Sequence, residues 1–72
     1  MNKNQVIEYL VTKIDDEDEP LFLLRGRDVL ASSAILAWCE HAKQFGVPQK
    51  KIDEAMTISV SMVLYPTKKF PD

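Results

Sequence analysis

The chain has 72 residues, 46% of them hydrophobic, with one cysteine and a formal charge of −2. This excludes a second domain, an intrachain disulfide and the strongly basic surface that nonspecific nucleic-acid binding needs. A compact monomer of this size buries only about 60% of the surface of its unfolded chain. No Cys/His cluster offers a structural zinc site, so self-association into a homo-oligomer is the expected support.

Residues 4–14 place Ile7, Leu10, Val11 and Ile14 at helical spacing, with Val6 alongside and Asn4 as N-cap. That predicts a short amphipathic helix. Val6, Ile7, Tyr9, Val11 and Thr12 also favour strands, so a strand is the competing reading. No signal peptide is expected from Met1-Asn2-Lys3-Asn4-Gln5 and the interrupted apolar pattern behind it. No apolar run approaches the roughly 20 residues of a bilayer span. A lone free thiol, Cys39, fits a reducing compartment and so a cytoplasmic location.

Residues 15–19 are five consecutive acids. They repel one another and predict a solvated loop, with Pro20 turning Glu19 away from helix. The run lacks the glycine and the distal glutamate of a calcium loop. Outside it, nine basic residues face six acidic ones, so the remainder is mildly basic. Leu21, Phe22, Leu23 and Leu24 are too few for a helix and predict an extended segment, or a short strand, pressed on the core.

Asp28 is the expected N-cap of a second helix over 29–45, with Gly46 as its stop. Its apolar residues cover most of its circumference, which predicts burial on more than one side, by residues 21–24 or by a second copy. Pro48 then fits the first turn of a third helix over 49–64, ended by Tyr65-Pro66. Lys50 and Glu54 are spaced for an exposed pair along it. Ile58, Ser59, Val60, Ser61 and Met62 alternate as a strand would, but the segment has no internal glycine or proline and the link before it is short. Helix is therefore the preferred reading for 57–63. The tail, 66–72, is expected to be extended or loosely docked. The predicted fold is all-α: one domain of about three helices with an extended segment at 21–24.

Chemistry concentrates at Arg25, Gly26 and Arg27. Two guanidinium forks around a glycine, beside the mouth of a helix, suit a phosphate. The competing reading pairs both arginines with residues 15–19 or with Asp28. The pattern is neither a Walker loop nor a dinucleotide fingerprint. Trp38 is placed either to stack on a nucleobase or to fill the core or an interface. Tyr65 and Phe70 bracket Lys68 and Lys69 in a basic-aromatic tail suited to folding over a phosphate, or simply a solvated terminus. Cys39 and His41, two apart on a helix, point away from each other and chelate poorly. Ser32 and Ser33 have no histidine at workable spacing. No catalytic constellation and no cofactor site is legible, which points to a protein that is not an enzyme.

Residues 19–72 also carry a pattern: Glu19-Pro20-Leu21-Phe22-Leu23-Leu24-Arg25-Gly26-Arg27-Asp28, then Ala31 and Trp38, then Gly46, Lys51, Ala55 and Met62, then Pro66, Lys69, Pro71 and Asp72. In this it resembles short bacteriophage and prophage proteins with an E-P-x-F-x-L-R-x-x-D stretch, a tryptophan-bearing helix and a W/Y-P-x-x-K-x-P-D-like end. Tyr65 stands where such sequences often have tryptophan. The resemblance implies a phage protein in the host bacterial cytoplasm. Small phage proteins of this kind include anti-defence proteins that sequester nucleotide second messengers. Two functions of different class follow: a noncatalytic binder of a phosphate-bearing small molecule, or a protein–protein interaction module docking on a host or phage protein.

Overall fold

The computed structural model describes residues 1–70 and contains three helices: α1 (Lys3–Lys13), α2 (Ala31–Gln44) and α3 (Gln49–Leu64). No extended strand forms among the described residues; the one ladder contact is an isolated parallel bridge between Asp28 and Lys69. The all-α expectation holds, including helix rather than strand over 57–63. Pro71 and Asp72, part of the resemblance and of the predicted tail, lie outside the described residues.

α1 begins earlier than its apolar spacing suggests. Asn2, not Asn4, is the N-cap: its side chain accepts from Gln5 N at 2.9 Å, and the Gln5 amide accepts from Asn2 N at 2.8 Å. This reciprocal box satisfies two of the four orphan donors of a first turn. α1 buries none of its residues and its backbone approaches neither α2 nor α3. The acidic run follows as an exposed turn, in which Asp16 accepts from Asp18 N through its carboxylate and from Glu19 N through its carbonyl.

The expected N-cap at Asp28 is also displaced. Leu30 occupies that position, without a side-chain capping bond, and the helix begins at Ala31 rather than at 29. Val29 N donates to Lys69 O and Ala31 N to Asp28 O, both at 3.1 Å, so residues 28–31 make a turn ahead of the helix. Asp28 instead closes an Asx turn, its carboxylate accepting from Leu30 N at 2.8 Å. Residues 21–24 form no regular secondary structure and are not pressed on the core: Phe22 is 88% exposed, and of the four only Leu24 is half-buried.

α2 ends as glycine chemistry requires. Gly46 has φ of +74°, Val47 N donates to Ala42 O at 3.0 Å, and Gly46 N to Lys43 O at 3.4 Å. These are the two bonds of a Schellman motif, and Val47 adds the apolar contact that accompanies it. Pro48 sits one position before α3, as its N-cap, and accepts from Lys51 N and Ile52 N. Lys50 and Glu54 form no ion pair; Gln49 and Asp53 make the equivalent contact, amide to carboxylate at 2.9 Å.

α2 and α3 thus form an antiparallel hairpin. Cys39 and Ala42 close on Ile52, with Ile35, Val47 and Ala55 around them. One turn from the open end, Ser59 Oγ donates to Ser32 O at 3.3 Å. Small residues at Ala31, Ala42 and Ser59, all buried, let the two backbones approach. Within the single chain α2 is not fully covered on a second side: Leu36 and Trp38 stay exposed, although Leu24 lies beside Trp38.

The two glycines give opposite expectations. A Cβ on Gly26 would meet Met62 and Tyr65 at ordinary van der Waals distances, and its φ is not positive. Gly46→Ala should cost about 1 kcal/mol in the left-handed region, lowering Tm by about 4–8 °C in a chain this short. Gly26→Ala should leave Tm unchanged or slightly raised. Thermal melts followed by circular dichroism check both.

Candidate functional site

Arg25, Gly26 and Arg27 form one wall of a cleft of about 310 Å³. Ile58, Ser61 and Met62 of α3 form its floor, and Tyr65 and Met1 complete the rim. The arginines reach it because a turn follows residues 21–24, closed by Asp28 N donating to Arg25 O at 3.0 Å. No carboxylate lines the cleft. Among the described residues neither guanidinium makes an ion pair or a side-chain hydrogen bond, so the competing reading, pairing with residues 15–19 or with Asp28, is not what the fold does. The two cations and the hydroxyls of Ser61 and Tyr65 suit an anion with oxygen acceptors.

Gly26 lies beside Met62 and Tyr65, where a Cβ would make only ordinary contacts. Trp38 is not in the cleft. It lines a separate apolar groove of about 450 Å³ with Leu24, Ala34, Ile35, Ala55 and Ile58, and Ile58 alone belongs to both.

Lys69 is held by its backbone. Its N donates to Arg27 O at 2.7 Å and its carbonyl accepts from Val29 N at 3.1 Å, which fixes the tail beside the arginine turn. Its side chain is not among the groups lining the cleft. Of the five candidate residues, Arg25, Gly26 and Arg27 line the cleft, Lys69 adjoins their turn through its backbone, and Trp38 lines the separate groove. Ser61, Met62 and Tyr65 were not chosen as site residues, because alternation along α3 does not reveal which of its sides the arginine turn will cover.

Lys68 has a role that spacing did not disclose. Its Nζ donates to Gly26 O at 3.1 Å and also to Met62 O. Met62 O belongs to the last turn of α3, where it also accepts from Tyr65 N at 3.3 Å and a cation is favoured by the dipole. The side chain therefore ties tail, arginine turn and helix end together. His41 and Cys39 play no part: Cys39 is buried, with its thiol directed at Ile52 O at 4.0 Å, and no group of three His, Cys, Asp or Glu able to hold a metal occurs among the described residues. No helix is long and apolar enough to cross a membrane. Comparison with family models, with curated proteins and with solved structures gives no match.

Lys68→Met keeps the length of the stem and removes the donor. It should speed amide exchange at Val29 and Lys69, whose N–H groups hold the tail, without altering exchange in the middle of α2. Hydrogen-exchange mass spectrometry or NMR reads this directly; equal protection in both proteins would show that the two backbone bonds suffice.

Proposed function

We propose that the chain is a noncatalytic binder of a phosphate-bearing small molecule, gripped at Arg25 and Arg27. The observation that carries this reading is that Arg25 and Arg27 both line one cleft with no carboxylate in its lining and make no ion pair of their own among the described residues. Lone surface arginines rarely signify binding, but two that share a concave site and lack a local counter-ion leave five-donor forks available to an oxyanion. Ser61 and Tyr65 add neutral donors. Binding rather than turnover is the reading because the cleft holds no acid–base pair. In the phage setting that the resemblance suggests, such a protein acts by sequestering a nucleotide signal of host defence.

Calorimetry with pyrophosphate, AMP and a cyclic dinucleotide tests the reading. At least one probe should bind. A charge-assisted hydrogen bond contributes about 1.5–3 kcal/mol, so Arg25→Ala or Arg27→Ala should each weaken it by about tenfold or more. Affinity should also fall with added salt. Failure of all three probes, or unchanged affinity in the double variant with helical circular dichroism intact, overturns the assignment.

A second reading, a docking module for another protein, is favoured by the exposure of Leu21, Phe22 and Leu23 directly after the acidic turn. Capture from host lysate with and without residues 15–19 distinguishes a partner drawn by the acidic turn from one that is not.

A further inference from the structure

The geometry points to α1 as an arm that docks in the α2–α3 groove of a second copy of this chain. Three observations converge on that occupant.

The first concerns area. The chain exposes 6221 Å², about 1,700 Å² more than the roughly 4,500 Å² expected of a compact monomer of its mass. If two copies each hid that excess, the shared interface would total about 3,400 Å², within the range of about 2,000–5,000 Å² typical of obligate homodimers. The surplus surface is thus the size of an interface between identical chains.

The second is the state of α1 itself. It has 11 residues and none is buried. Helices shorter than about 12–15 residues are marginal in water without tertiary support. Yet Ile7, Leu10 and Val11 line one face of it, 50%, 43% and 78% exposed. A helix with a capped start, an exposed apolar stripe and no Cα within 8 Å of α2 or α3 keeps most of that stripe available to something outside its own chain.

The third is the receiving surface. The groove between α2 and α3 is lined by six apolar residues and no charged one, with Trp38 44% exposed at its edge. The stripe and the groove belong to the same molecule, so two copies can satisfy each other reciprocally about a twofold axis. The acidic turn between α1 and the rest of the chain, exposed throughout, remains in solvent in that arrangement.

Cross-linking in the full chain decides it. Val11→Cys with Ala34→Cys puts one thiol on the stripe and one in the groove. No Cα of α1 comes within 8 Å of one in α2 in a single chain, whereas a disulfide needs about 7 Å or less. The native thiol, Cys39, is 2% exposed and stays out of the reaction. Mild oxidation should give a covalent dimer in high yield, with either single variant giving little. Separately, native mass spectrometry and light scattering at micromolar concentration should find wild-type assemblies, weakened at least about tenfold by Val11→Glu, which places a charge against an apolar wall. Val11 and Ala34 are both exposed in the single chain, so neither change disturbs its core. A monomeric wild type, or a double-cysteine protein that stays a single chain on oxidation, overturns the proposal. Should Val11→Glu lose helical signal, the cross-link remains the arbiter. Neither position lines the arginine cleft, so pyrophosphate binding by a monomer would refute this interface and leave the site standing.

Discussion

The contact between Ile52 and the pair Cys39 and Ala42 is the constraint on which the rest depends. Ile52 and Cys39 are the largest fully buried side chains, and among the described residues only Ala31, Ala42 and Ser59 are buried with them. With so small a core, position is set as much by main-chain geometry as by buried area. The Schellman turn at Gly46 reverses the chain, Ala31, Ala42 and Ser59 admit close approach, and Ser59 Oγ reaches the Ser32 carbonyl to fix the open end. Once α2 and α3 are locked in this register, Ile58, Ser61 and Met62 face outward on one side as a floor, and the arginine turn can be laid across it.

The arginine turn is then fixed by backbone rather than by side chains. Arg25 O, Gly26 O, Arg27 O and Val29 N are all engaged, to Asp28 N, Lys68 Nζ, Lys69 N and Lys69 O respectively. This spends the main chain on structure and leaves both guanidinium groups uncommitted. Such division is what a binding site needs, since a fork held at its base loses less freedom when it closes on an oxyanion.

Much of this was readable from the residues, and the rest for definite reasons was not. Gly46, Pro48 and Tyr65-Pro66 punctuate α3 correctly because glycine and proline act locally. Spacing alone points to Asn4 and not to Asn2, because the apolar stripe does not say where a capping box closes. Asp28 is drawn into an isolated bridge with Lys69, 41 positions later, and no local rule anticipates that contact. The arginine pair was visible as a motif, whereas its floor was not: whether Ser61 or Met56 would face the turn depends on the helix register set by Ile52. Trp38 was chosen for its ring and lies instead on the apolar groove, the position that large aromatics favour at contacts between proteins.

The Lys68 tie has a thermodynamic corollary. Tail docking and the placement of Arg25 and Arg27 share one stretch of main chain, so the two equilibria are linked. A ligand that prefers the arginines as the docked tail presents them must, by reciprocity, hold the tail down by the same factor by which the tail improves its own retention. The last turn of α3 then acts as a fulcrum between a guest on one side and the chain's own basic strap on the other.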